Sequence, residues 1–232
     1  MTPTLPTPSA ILVASAHWES SGGQAVSLAS RPDTIHDFGE FPRVLSEILY
    51  PAPGAPDTGL RAINLLQQEG FAVQASPARG LDHGAWVPLS LMYPQADIPA
   101  AQVSVIRGAG PAEHLRLGRA LKVIRDEGVL VIGSGALTHN LYEFRGHDID
   151  APVPEWVSEF DAWMKVRLES GDAASLLHYR KEAPSALRNH PTEEHLLPLF
   201  VAMGAGGDAP SSRRLHSSYE YGVLAMDIYT FE

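Results

Sequence analysis

Apolar residues fall along this chain in two patterns. Short unbroken runs, Ala10-Ile11-Leu12-Val13-Ala14 and Gly128-Val129-Leu130-Val131-Ile132-Gly133, are rich in branched side chains and too brief for helices. Such runs predict strands buried on both faces of a sheet. Longer stretches space their apolar positions three and four apart and predict helices over 57–68 (Leu60, Ile63, Leu66, stopped at Gly70), 111–127 (Leu115, Gly118, Leu121, Ile124) and 152–170 (Trp156, Phe160, Trp163, Met164). His114 is assigned to the solvent side of its helix. Short helices are expected over 44–50 and 172–179, and another from Pro191 onward, with Thr192 as N-cap and Glu193 and Glu194 in the first turn. Further strands are expected over 25–29, as a sheet neighbour of the first, and over 71–74, 102–106 and 223–229. Residues 80–86 read as a loop followed by an apolar patch, Val87 to Met92. Alternating strands and helices predict an α/β fold: a single domain over 1–232, with a central mostly parallel or mixed sheet flanked by helices.

Four histidines stand where these elements begin or end: His17, His83, His139 and His195. In open α/β sheets ligands bind outside the carboxyl ends of the strands, which is where His17 and His139 lie. A strand-end histidine taken alone is more often a hydrogen-bonded structural residue, and the spacing matches no local metal motif; a metal site and a structural role both stay open on spacing alone. Asp82-His83-Gly84 sets a histidine between an acid that can hold it and a glycine that lets a ligand approach. The turn Gly133-Ser134-Gly135 lacks the third glycine of a dinucleotide site, where Thr138 stands, and is not a serine nucleophile elbow. Residues 34–42 are polar and aromatic without a period, as functional and ordinary loops both are.

Composition narrows the chemistry. The 232 residues contain no cysteine, so disulfides, thiolate metal sites and a cysteine nucleophile are excluded, and any metal must be held by His, Asp or Glu. A net charge of -10 without a basic patch disfavours nucleic acid and anionic membranes as partners. No apolar run approaches the roughly 20 residues of a membrane span, and Met1-Thr2-Pro3-Thr4-Leu5-Pro6 lacks signal-peptide features. The expectation is a soluble, cytoplasmic protein.

Seven stretches, in order, carry a resemblance: Ser15-Ala16-His17-Trp18, Thr34-Ile35-His36-Asp37-Phe38-Gly39, Tyr50-Pro51-Ala52-Pro53-Gly54, Leu81-Asp82-His83-Gly84-Ala85-Trp86, Met92 to Pro99, Gly133-Ser134-Gly135 with Thr138-His139-Asn140, and Glu194-His195-Leu196-Leu197-Pro198-Leu199. Together the chain resembles the extradiol aromatic ring-opening dioxygenases of the LigB-like superfamily, in the branch of 4,5-DOPA dioxygenase-like proteins. The resemblance implies metal binding by His17 and His195, with Glu194 as a fallback ligand. It makes His139 a ligand or the base that takes a catechol proton, and His83 an acid/base or dioxygen-contacting group. It further implies Fe(2+) for activity, Zn(2+) in protein as isolated, and a small aromatic diol and O2 as substrates, both oxygen atoms entering the opened ring.

Members of that family begin with a further strand and a His-Gly-Ser-Pro loop whose histidine is another ligand, and this sequence has neither. The expectation is therefore either a start placed too late or a metal shell short of one histidine, with weak iron binding and slow turnover. His36 and Glu194 are the expected replacements. The absent strand would leave a sheet edge unpaired, which favours pairing with another chain, a homo-oligomer included. Two alternatives stand beside the dioxygenase: a metal-dependent hydrolase on the same histidines, and an impaired member that binds metal and aromatic ligand.

Overall fold

The structure is a computed structural model that describes residues 6–39, 43–208 and 210–232. The reading of the first six residues as leader-free, and the end of the loop over 34–42, fall largely on residues outside these. Ala10–Ser20 forms β1, the longest strand of the chain's main sheet. Ile11, Leu12, Val13 and Ala14 are wholly buried, as the unbroken apolar run requires of a strand covered on both faces. The main sheet has five strands in the order β3-β2-β4-β1-β5, where β2 is Gln24–Ser27, β3 Val73–Ser76, β4 Ala100–Ile106 and β5 Val129–Ser134. It is mixed: β1 runs parallel to both β4 and β5, β2 runs parallel to β3, and β2 meets β4 antiparallel at Val26 and Val103. The predicted pairing of β1 with β2 is thus wrong, because β4 lies between them. Ser104 of β4 accepts a hydrogen bond from the Ala25 amide through its hydroxyl at 2.9 Å, which fixes β2 against β4 instead.

Helices α1 (Pro56–Gln68) and α3 (Pro111–Asp126) cover one face, where Leu66, Leu117, Leu121 and Ile124 pack on Leu12, Ala14 and Val103. The other face is covered by α2, His83–Met92, whose Trp86 and Leu89 pack on Ile11 and Val13. A second layer of helices, α4 (Glu155–Ser170), α5 (Ala173–Leu177), α6 (Tyr179–Glu182) and α7 (Ala186–Asn189), builds its own core around Phe160, Met164 and Tyr179. Phe200 and Met203 of α8, Leu197–Gly206, join that core while Val201 faces the sheet.

Four local expectations are corrected. His114 is buried: its Nε2 accepts from the Ile106 amide at 3.0 Å and its Nδ1 lies 2.9 Å from the Gly110 carbonyl, so it ties the end of β4 to the start of α3. The helix expected from Pro191 starts only at Leu197, where Pro198 suits the first turn; Thr192 donates its hydroxyl proton to Glu194 at 2.9 Å in place of capping a helix. The expected closing strand is broken into β8, Leu224–Ala225, paired with β7, Tyr219–Glu220, and β9, Ile228–Phe231, paired with β6, Ser212–His216. The break falls at Asp227, drawn 3.0 Å from half-buried Arg214. Residues 43–47 make a 3-10 turn in place of a helix over 44–50.

One buried carboxylate joins three of these elements. Asp82 accepts from Ser15 Oγ of β1 at 2.6 Å, from Gln102 Nε2 of β4 at 2.7 Å and from Arg79 at 2.8 Å, immediately before α2 begins. Replacing Asp82 by Ala strands those donors without acceptors in the interior, a loss of roughly 2–4 kcal/mol. Urea denaturation of Asp82→Ala should show that loss; a change under about 1 kcal/mol would mean that the network contributes no more than ordinary surface polar contacts.

Candidate metal centre

The carboxyl ends of β1 and β5 separate at the point where His17 stands. The two strands pair in register up to Ser15 and Ser134 and no further. On the other side Ser15 pairs with Ser104 and Glu19 with Val105, so Ala16, His17 and Trp18 bulge out of the ladder. The bulge releases His17 from the sheet into the crevice where a ligand is expected.

Three other segments converge on it. His83 opens α2, held close to β1 because Gly84 has no Cβ to meet Ser15 and His17. His139 lies in the loop after β5, its amide bound to the Asn189 carbonyl at 3.0 Å. Its neighbour Thr138 is pinned by hydrogen bonds to Val223 and Ala225 at 2.9 and 2.8 Å. His195 precedes α8, and here the Gly133-Ser134-Gly135 turn acquires a purpose. A Cβ on Gly133 would collide with the Pro198 carbonyl, and one on Gly135 with that of His195, while Ala136 donates to the same His195 carbonyl at 2.9 Å. The glycines let the end of β5 lie directly against the backbone that carries His195.

The result is a contiguous group of imidazoles. The rings of His17 and His83 are 3.7 Å apart between centroids, those of His17 and His195 5.0 Å, and His139 stacks on His195 at 3.5 Å with 7° between planes. Two carboxylates complete it. Asp37, in the loop after β2, lies 2.8 Å from His83 Nδ1 and 3.8 Å from His17 Nδ1, and Glu194 lies 3.0 Å from His195 Nδ1. His17, Asp37 and His83 present ligand atoms within 4.8 Å of one another, as do His139, Glu194 and His195.

All four histidines named from the sequence are thus brought together. His36 is not among them: its Nε2 binds the Ile48 carbonyl at 2.8 Å and its ring packs on Phe38 and Trp86. Glu194, the fallback ligand, orients His195. Asp37 has no role assigned from sequence, although it sits in one of the seven matching stretches; an acid between a histidine and a phenylalanine in a periodless loop is the available signal.

Burial and crowding hold two of the rings, His17 and His139, neutral near pH 7. Burial, then the proximity of His83 and His195, push His17 down to about 4. Burial, then His195 and His190, push His139 down to about 3. The hydrogen bond from His195 is the main reason that Glu194 falls to about 2. Burial works to raise Asp37, but its hydrogen bonds from His83 outweigh that and lower it.

The donor set suits a divalent first-row metal. Ionised Glu194 accepts a hydrogen bond from His195 Nδ1–H, which in the neutral ring puts the lone pair on Nε2; that atom is buried and has no hydrogen-bond partner among the described residues. Neutral imidazoles with carboxylates are ligands for iron or zinc.

Residues 4–231 match the family described as the catalytic LigB subunit of aromatic ring-opening dioxygenase. The chain belongs to this LigB family. It is 42% identical over 225 residues to a protein of Beta vulgaris named 4,5-DOPA dioxygenase extradiol, spanning 97% of this chain and 83% of that one. A protein of the same name from Escherichia coli (strain K12) is 40% identical over 227 residues, 96% of this chain and 82% of the relative. The crystal structure of an uncharacterized protein from Escherichia coli K12 superposes with a TM-score of 0.80 at 33% identity, covering 98% of this chain and 88% of that one. Among the described residues of this LigB-family chain no helix is long and apolar enough to cross a membrane.

Burying neutral histidines links folding to pH. The ordinary histidine value is 6.5, whereas His17 and His190 are held at about 4 and His139 at about 3 in the folded chain. Below about 6.5 the unfolded chain takes up these protons and the folded one does not, so stability falls as pH drops from about 6.5 toward about 4. The Tm of metal-free protein should be lower at pH 5 than at pH 7; equal values would show that these rings are not held neutral.

Proposed function

We propose that this chain is a non-haem Fe(2+)-dependent extradiol dioxygenase that opens a catecholic ring, both atoms of O2 entering the product, with residues 1–232 acting as one catalytic domain. The observation that carries the reading is the bare, buried Nε2 of His195 packed among His17 and His139, in a chain about 40% identical to proteins named 4,5-DOPA dioxygenase extradiol. His17 and His195 are the ligands, with His139 beside them as ligand or base. A divalent iron held by these residues would supply Lewis acidity toward the diol and the redox capacity that reaction of dioxygen with an aromatic ring requires. Zinc in protein as isolated follows from its higher place than iron in the affinity order for imidazole sites.

The chain's own residues divide the remaining work. Burial and the neighbouring histidines hold His139 at about 3, so near neutral pH it is uncharged and can accept a hydroxyl proton as the diol binds. His83, on the far side of His17, is free at Nε2 to give or take a proton as the ring opens. Phe38 packs on buried Trp86 and lies 5.5 Å from the His83 ring, an aromatic surface against which a flat ligand can lie.

Iron-loaded protein mixed anaerobically with a panel of catechols and then exposed to oxygen should consume one O2 per ring opened and yield a coloured fission product. Absence of uptake with every catechol would overturn the reading. His83→Ala should lower kcat by about 10²- to 10⁴-fold while metal content stays at the parent level. Loss of the metal would instead make His83 a ligand.

A further inference from the structure

α2 begins without its own cap. Asp82, at the N-cap position, commits its carboxylate to Ser15, Gln102 and Arg79 and makes no side-chain bond to the helix. The first amides of a helix have no partner within it, and that of His83 is met from elsewhere. Asp37 Oδ1 accepts it at 2.9 Å across 46 residues of sequence. The same oxygen lies 2.8 Å from His83 Nδ1. One carboxylate oxygen therefore grips both the backbone and the ring of His83. A carboxylate only accepts, so the proton of the neutral ring resides on Nδ1 and the lone pair on Nε2.

We propose that Asp37 is a positioning residue of the reaction: it fixes the rotamer of His83 and its Nδ1–H tautomer, so that proton transfer runs through Nε2. This rests on the assignment of His83 as an acid/base group and deepens it. Asp37 is a partner of His83 and not a metal ligand, although His17, Asp37 and His83 form a compact donor group. Its Oδ1 is committed to two bonds from His83, and its Oδ2 is 3.8 Å from His17 Nδ1, too far for a hydrogen bond.

Four chains test it: Asp37→Asn, Asp37→Ala, His83→Ala and the double variant Asp37→Ala with His83→Ala. Asp37→Asn can still accept the His83 amide and so guards against a failure to fold. Asp37→Ala should lower kcat about 10- to 100-fold, the usual cost of losing a carboxylate behind a functional histidine, with KM within about twofold and metal content unchanged. In the His83→Ala background the same change should cost nothing more, because Asp37 acts only through that ring. The 15N spectrum of the His83 ring should show Nδ1–H in the parent and a tautomer mixture in Asp37→Ala. Additive losses in the double variant, loss of metal in Asp37→Ala, or an unchanged tautomer would each overturn the proposal. If His83→Ala keeps full activity, the acid/base assignment fails and the kinetic role of Asp37 fails with it; the 15N spectrum then reports separately whether the Asp37–His83 bond exists.

Discussion

Burial and crowding both work against charge on imidazoles packed ring against ring in a half-buried crevice. A proton on His17 or His139 would face burial and its neighbours together, and this opposition holds His17 at about 4 and His139 at about 3. The neutral state that the packing demands is also the state in which imidazole donates a lone pair. Crowding thus makes the cluster a ready acceptor for a cation, and a cation in turn relieves a defect that crowding leaves, the unpartnered Nε2 of His195.

The scaffold serves that crowding. The bulge at residues 16–18 turns His17 out of a strand whose preceding residues are wholly buried and held between two parallel neighbours. The turn after β5 is stripped of side chains so that the backbone of His195 can lie against it. Asp82 locks β1, β4 and the start of α2 into one frame, and Asp37 reaches over from the loop after β2 to fasten His83 to that frame. Each histidine comes from a different segment of the chain, and each is fixed by contacts made within two residues of it.

Which elements are legible in the sequence depends on which forces are local. β1, β5, α1, α3 and α4 are found within a few residues because continuous burial and helical periodicity leave direct marks on the apolar pattern. The α2 helix reads as a loop and an apolar patch because both its faces are apolar, so it has no amphipathic period, and because its cap is 46 residues away. Periodicity scores His114 as polar and places it in solvent, whereas a strand-end amide and a carbonyl satisfy it inside. The start of α8 is misjudged from sequence because a capping pattern at Thr192 stands ahead of the proline that sets it. The four histidines are legible from their positions at element ends; Asp37 is not, since its partner is set by tertiary packing alone.

Locating the metal decides whether the crowded imidazoles are what binds it. Crystals loaded with iron, and separately with zinc, would be measured with anomalous scattering at each metal's absorption edge. The expected result is an anomalous peak bonded to the imidazoles of His17 and His195 and adjacent to His139. A peak held elsewhere, or none at saturating metal with the four rings still packed as described, would contradict it.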